Sequence, residues 1–527
     1  MKNKKKTATK QGKLRLIITL IVFLISMVVI IGLFILPFMF EVVRNALLYI
    51  ILVYFVLVSA LLLFIANSAS QVDFKISWMT VVACIPIAGP LLYLIFAQKE
   101  TKKSQIRKRA KREKIIEIDE ENTTNVYEDL AKLNYKNFQI ANSINLNVEY
   151  PTYKDSKFEY FKLGELGFPK VIEELKKAKR FIFLEFFIIE RGVFFDSIYE
   201  ILKEKVKDGV EVRLIYDDFG SAIKINPHFY KKAINDGIKV FRFNKIRPAA
   251  DFRQNSRDHR KIIIIDGVVA FSGGCNIADE YINKINRFGV WKDNIFMLKG
   301  KAVDGYVNIF LQSWSKNENE FIDDYDERRY YFDINRALAD SEIEPDGFLC
   351  PYGEVPLDDE FTTRNTWLQI INSARKYVFI STPYLIPDST VLTALENKAK
   401  EGVRVAIVTP GIPDKRMVYS VTRSYYSSLL MSGVEIYEYT PGFNHAKVIV
   451  SDDDVCSVGT ANLDYRSFYL IYECSLLVMN SKEILKVRDD LVEMMSVSKL
   501  QDVNRYVNAN FFTKLYWGIL RIIAPFF

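Results

Sequence analysis

The feature that most restricts how this chain can fold is a run of alternating strand and helix patterns that occurs twice after residue 115. Phe181–Ile189 is a continuous apolar run, the mark of a strand buried on both faces. An amphipathic helix over Asp196–Lys207 is stopped by Gly209, before the strand Val210–Tyr216. A second helix ends at Gly237, before Ile238–Phe243. The later run repeats this order. Tyr377–Ile380 is followed by a helix from Thr390 to Lys400, then Gly402 and the strand Val403–Thr409. A further helix ends at Gly433, before Val434–Tyr439. A left-handed glycine that halts a helix just ahead of a strand is common in α/β proteins. Two such turns in the same order in each half predict a duplicated α/β domain. The acidic stretch Asn317–Glu327 is the expected linker.

The next element of each half carries the chemistry. His259-Arg-Lys261 leads to Asp266, and His445-Ala-Lys447 leads to Asp452, so both halves read HxKxxxxD. The chain has only three histidines, and the third, His228, has no lysine two residues on. The motifs give the candidate catalytic set His259, Lys261, Asp266, His445, Lys447 and Asp452. On a strand, residues two apart share a face, so each histidine sits with its lysine. The aspartates have the opposite parity and fall at the strand ends, where they are expected mainly to hold the turn. Each hairpin then reaches a corner, Gly273-Gly-Cys-Asn276 or Gly459-Thr-Ala-Asn462. Such corners let backbone approach an anion, and an asparagine amide can donate to a phosphate oxygen. Asn276, Asn462, Gly274 and Thr460 are therefore the candidate phosphate binders. Three histidines and five scattered cysteines without a CxxC pair argue against a dedicated metal centre or a disulfide scaffold. No cofactor is expected.

Charge and hydropathy add a membrane. Residues 1–15 hold seven basic residues and no acid, and residues 99–114 hold nine basic residues and two acids. Together they contribute +14 to a net charge of +7, so the rest of the chain carries −7. That distribution excludes a basic nucleic-acid-binding face and fits segments held against anionic lipid. Leu16–Phe40, Ala46–Ala66 and Ile76–Ala97 are uncharged apolar runs of 25, 21 and 22 residues, each long enough to span a bilayer. Three full spans cannot leave both basic stretches on the cytosolic side. Pro86, Gly89 and Pro90 mark the third run as kinked or re-entrant. The body is expected on the cytosolic side, with the side of the N-terminus left open.

With these residues in place, the chain resembles the phospholipase D superfamily, and within it the bacterial cardiolipin synthases. The doubled motif with its GxxN corner carries the first resemblance. Tyr216-Asp-Asp-Phe-Gly220, Phe271–Ile277, Trp291-Lys-Asp293, Gly459–Ser467 and the membrane residues Trp78, Pro86, Gly89 and Tyr93 carry the second. Leu16–Phe40 is an addition to the two spans typical of such enzymes. The resemblance implies duplicated phospholipase D-like α/β/α sandwich domains with pseudo-twofold symmetry, preceded by transmembrane helices. The expected divisions are a basic tail (1–15), a membrane segment (16–98), a basic linker (99–145), two domains (146–330 and 331–505) and an interfacial aromatic tail (506–527).

The resemblance also implies a reaction. Two phosphatidylglycerols give cardiolipin and glycerol through a phosphatidyl-histidine, with the second histidine as acid and then base. The lysines and asparagines hold the phosphate, and Asp293 and Glu473 orient the histidines. The expected partners are phosphatidylglycerol and anionic membrane lipid at the cell membrane; oligomeric state is left open. A hydrolytic phospholipase D and a non-catalytic lipid-binding relative are the alternatives. Asp217-Asp218 reads as a structural strand end, and Cys275 and Cys456 as packing residues.

Overall fold

In this computed structural model, residues 41–97, 120–222, 224–246, 256–315, 330–332, 343–356 and 360–527 are described. Two sheets follow from the repeated pattern. The first has seven strands in the order Ser156–Phe161, Ile295–Gly300, Val269–Gly273, Lys261–Ile265, Phe181–Phe186, Glu211–Asp217 and Lys239–Phe243. The second runs Phe348–Glu354, Glu473–Met479, Val455–Gly459, Val448–Ser451, Tyr377–Ser381, Arg404–Pro410 and Glu435–Tyr439, with Ser498–Leu500 added at the edge. The seven shared positions correspond one for one, in strand direction as well as order. The mixed α/β fold is thus duplicated, and both sheets belong to one compact unit.

The apolar runs form central strands because both faces of the sheets are covered. All six residues of Phe181–Phe186 are buried. Side chains such as Ile182, Leu214, Val378 and Ile407 are fully enclosed, each contributing about 1.5–3 kcal/mol relative to exposure. The helix Val303–Trp314 is almost entirely buried against strands of both sheets. Gly209 and Gly402, at φ of 85° and 88°, stop their helices with no neighbour near the missing side chain, so conformation alone selects glycine there.

The hairpins of the two motifs turn through left-handed pairs, Asp266–Gly267 and Asp452–Asp453. The two motif aspartates stand where their parity put them. Asp266 and Asp452, counted in the catalytic set, sit at the far ends of their strands from the histidines. Asp266 accepts the backbone N–H groups of Lys179, Arg180 and Phe181. Asp452 accepts those of Arg375, Lys376 and Tyr377. They lock each hairpin to the start of the neighbouring strand, as their parity requires.

The N-terminal apolar segment forms a separate unit. Its helix Glu41–Ala66 spans about 39 Å at 1.5 Å per residue. Among the described residues it alone contains a stretch, Tyr49–Ala66, long and apolar enough to cross a membrane. Ile76–Ala97, expected to be long enough for a span, is instead divided between two short helices, Val72–Cys84 and Ala88–Phe96. Pro86 removes a helix donor at the break, and Ile87 turns the chain at φ 65°. Trp78 and Tyr93 meet edge-to-face across the resulting hairpin at 5.5 Å. The expectations for residues 1–15, Leu16–Phe40, 99–114 and Asn317–Glu327 lie outside the described residues.

Candidate active site

The two motif strands deliver their histidines to one cavity of about 680 Å³, lined also by Asn276 and Asn462. Backbone pairing between the halves sets the approach. His259 N donates to Tyr472 O at 2.9 Å, and His445 N donates to Lys292 O at 2.7 Å. Tyr472 immediately precedes Glu473, and Lys292 immediately precedes Asp293. Each histidine is therefore tied to the segment that carries an acid of the other half.

The side chains complete that exchange. His259 Nδ1 lies 2.9 Å from both carboxylate oxygens of Glu473. His445 Nδ1 lies 2.5 Å from Asp293 Oδ2. A carboxylate on Nδ1 fixes the ring and turns the other nitrogen to the reaction space. Both acids are fully buried. Burial pushes the Glu473 carboxyl up, to about 8. Burial and the surrounding cations, Lys261 foremost, hold His259 well below the usual imidazole range. Burial and Lys447 bring His445 down to about 4, opposed by Asp293.

Lys261 donates to His259 O at 2.7 Å, and Lys447 donates to His445 O. Lys447 Nζ also lies 2.9 Å from His445 Nδ1. Burial lowers both ammonium groups, Lys447 to about 8. Neither lysine is among the residues lining the cavity. Their charge acts from directly behind the histidines.

The corner residues divide. Asn276 accepts Ile188 N–H and donates to the Tyr281 hydroxyl, while Asn462 donates to Asp464. Gly274 and Thr460, expected at the phosphate, stand instead behind the two acids. The Gly274 N–H already donates to Asn294 O at 3.0 Å. A Cα hydrogen of Gly274 faces the Asp293 carboxylate so closely that a Cβ there would fall 1.8 Å from Oδ1. Thr460 Oγ1 donates to Glu473 Oε2 at 2.5 Å. Ser467, inside the recognised Gly459–Ser467 stretch but assigned no role from sequence, donates to Glu473 Oε1 at 2.8 Å.

Other sequence readings have definite places. His228 is an exposed residue ahead of the short helix Phe229–Asn235. Asp217 accepts the N–H groups of Phe219, Gly220 and Asp258, tying a strand end to the segment entering His259. Cys275 and Cys456 are buried. The last residues, Phe526 and Phe527, line the cavity, which no periodicity in the sequence signals.

Two imidazoles, each held through Nδ1 and backed by a lysine, form an arrangement that can supply a nucleophile and a proton carrier without a second kind of group. Comparisons with known proteins place the chain in a family. The profile described as "Cardiolipin synthase, PLD-like domain" matches residues 171–314 and 367–495. A cardiolipin synthase of Clostridium perfringens is 33% identical over 85% of this chain and 93% of its own. One of Alkalihalophilus pseudofirmus is 31% identical over 85% and 88%. In fold, the chain is similar to the crystal structure of phosphatidylserine synthase from Haemophilus influenzae. That match has a TM-score of 0.53 at 14% identity and covers 74% of this chain and 98% of that one. With its doubled motif and duplicated sheets, the chain belongs to the cardiolipin synthase family of phospholipase D-like enzymes.

Proposed function

We propose that the protein transfers a phosphatidyl group from one phosphatidylglycerol to another, giving cardiolipin and glycerol. The observation that carries this reading is the crossed pair of histidine–acid contacts at one cavity. In the first step His259 Nε2 attacks phosphorus. The P–N bond forms, the P–O bond to the headgroup glycerol breaks, and His445 gives that oxygen its proton. In the second step His445 takes the proton of a hydroxyl on the second phosphatidylglycerol. That oxygen attacks phosphorus, the P–N bond breaks, and His259 is released. Lys261 and Lys447 stabilise the charge that builds on the phosphoryl oxygens, and the Asn276 and Asn462 amides help orient them.

The division of roles follows the family resemblance, and the surroundings of the two rings differ in one respect that suits it. The main electrostatic influences on His259 disfavour its proton, as a nucleophile requires. Burial and Lys447 disfavour the proton on His445 too, but there Asp293 opposes them, the influence an acid needs.

The same reading makes the protein integral to the cell membrane, with its catalytic body on the cytosolic side and residues 506–527 at the lipid surface. The helix Phe511–Ile523 rests on Arg416–Ser424 and leaves Phe511, Phe512, Leu515, Tyr516 and Ile519 exposed. An apolar face of that kind, with Lys514 and Arg521 on the same helix, suits the headgroup region. The test is purified protein with phosphatidylglycerol labelled separately in headgroup and acyl chain. Cardiolipin and free glycerol in equal amounts are expected. Phosphatidic acid as the main lipid product would make the enzyme a hydrolase, and no product would leave a binding protein.

A further inference from the structure

Cardiolipin carries two phosphates joined by one glycerol, so a site that makes it from two anionic lipids must hold two phosphodiesters at once. The histidine–lysine centre serves the reacting one. The other belongs to the accepting lipid and sits one glycerol bridge away. Moving that anion from water into a cavity walled by Phe187, Phe219, Tyr281, Trp291 and Phe443 costs several kcal/mol unless cations meet it.

Five basic side chains line the cavity, and they differ in how far carboxylates already neutralise them. Lys224 is paired with Glu190 and lies 3.9 Å from Glu280, while Arg287 lies 3.6 Å from Glu280. The other three have less compensation. Arg257, 6% exposed, stacks on Phe219 and donates to Asn244 O. Its nearest acid, Asp217 at 3.8 Å, already accepts three backbone N–H groups. Lys415 reaches Asp414 only at 3.9 Å, and that carboxylate takes the Tyr384 hydroxyl at 2.7 Å. Arg466 is half-buried, and no acid lies within ion-pair distance of it among the described residues. The charge of Arg466 bears unfavourably on Arg257, and both Lys415 and Arg466 bear on His259. Asp414 and Asp464 also line the cavity, but Asp414 takes the Tyr384 hydroxyl and Asp464 takes the Asn462 amide and the Ser467 N–H, so three cations in reach of the reacting histidine are left to meet an anion.

We propose that Arg257, Lys415 and Arg466 form a subsite for a second phosphodiester, that of the lipid accepting the phosphatidyl group. The proposal rests on the transferase reading above, and one pair of assays separates the two. Labelled glycerol exchanged into phosphatidylglycerol reports the transfer with a neutral acceptor. Cardiolipin formation requires the anionic acceptor. Lys415→Gln and Arg466→Gln should each lower cardiolipin formation from dilute phosphatidylglycerol at least tenfold relative to glycerol exchange. Arg466→Lys should recover part of the loss. Lys415 is largely exposed, so its variant is not expected to disturb folding. Equal loss of both activities would place these cations on the donor phosphate and overturn the subsite. Unchanged ratios in both variants would overturn it as well. A wild-type enzyme that exchanges glycerol but forms no cardiolipin would instead overturn the transferase reading.

Discussion

A single methyl group at position 274 tests how the acid–histidine pairs are held. A Cβ on Gly274 would lie 1.8 Å from Asp293 Oδ1, 2.7 Å from Cγ and 3.0 Å from Oδ2. The three nearest atoms all belong to one carboxyl group at the end of a side chain. The carboxylate therefore moves rather than the backbone, and the fold of Gly274→Ala should survive. What is lost is the 2.5 Å contact between Asp293 Oδ2 and His445 Nδ1. A hydrogen bond to a charged group contributes about 1.5–3 kcal/mol. At 1.4 kcal/mol per tenfold that is roughly a 10- to 100-fold loss. It should fall on kcat, because the contact supports a proton that His445 transfers, not the resting lipid. The assay is the initial rate of cardiolipin formation across phosphatidylglycerol concentrations, with thermal unfolding measured alongside. The double variant with Asp293→Asn decides the cause. If Gly274 acts only through that carboxylate, the double variant is no slower than Asp293→Asn alone. Multiplied losses, or a Gly274→Ala enzyme with wild-type kcat, would refute the reasoning.

Other outcomes follow from the same geometry. His259→Ala and His445→Ala should each reduce synthesis below about a thousandth, in the upper range for loss of a nucleophile or an acid–base group, while exposed His228→Ala keeps its rate; a phosphatidyl adduct trapped on His445 would reverse the assigned roles. Raising the pH through about 8 removes a proton from Lys447 and from Glu473, both of which make the centre less attractive to a phosphate, so kcat/KM should fall along an alkaline limb starting near that pH. An alkaline limb that begins only near pH 10 would contradict the lowered lysine. Phe511→Glu with Phe512→Glu should lower the rate on bilayer phosphatidylglycerol at least fivefold, since each ring contributes about 1.5–3 kcal/mol on burial, with a much smaller loss on detergent-dispersed lipid. Equal rates on bilayers would remove the tail from the lipid surface.

Much of the fold was legible because local patterns and tertiary structure agree. The motif strand Lys261–Ile265 is the apolar run Ile262–Ile265 with the motif lysine ahead of it, and Glu435–Tyr439 starts one residue after its expected position. The turn role of Asp266 and Asp452 followed from parity, although the motif as a unit suggested catalysis. The third apolar run was harder. Hydropathy counts residues and does not see a chain reversal, and only Pro86, Gly89 and Pro90 hinted at one. Gly274 and Thr460 looked alike in the two corners and serve the acids differently. Thr460 offers a hydroxyl to Glu473, while the corner beside Asp293 has no room for any side chain.

What the sequence could not supply was the pairing. Within one half, His259 is followed by Asp293 and His445 by Glu473, so chain order suggests that each half orients its own histidine. The structure exchanges them, since strand pairing brings Tyr472 and Lys292 against the opposite motif segments. That exchange has a chemical consequence. A half with its own acid would carry a complete histidine–acid pair and could shift relative to its partner without losing it. Here any slip between the sheets that moves His259 from Glu473 also strains the Lys292–His445 connection beside Asp293. The two histidines are therefore set by one shared interface. A mechanism in which one ring attacks and the other delivers a proton to the departing oxygen needs that coupling, because an error in either position stops both halves of the same step.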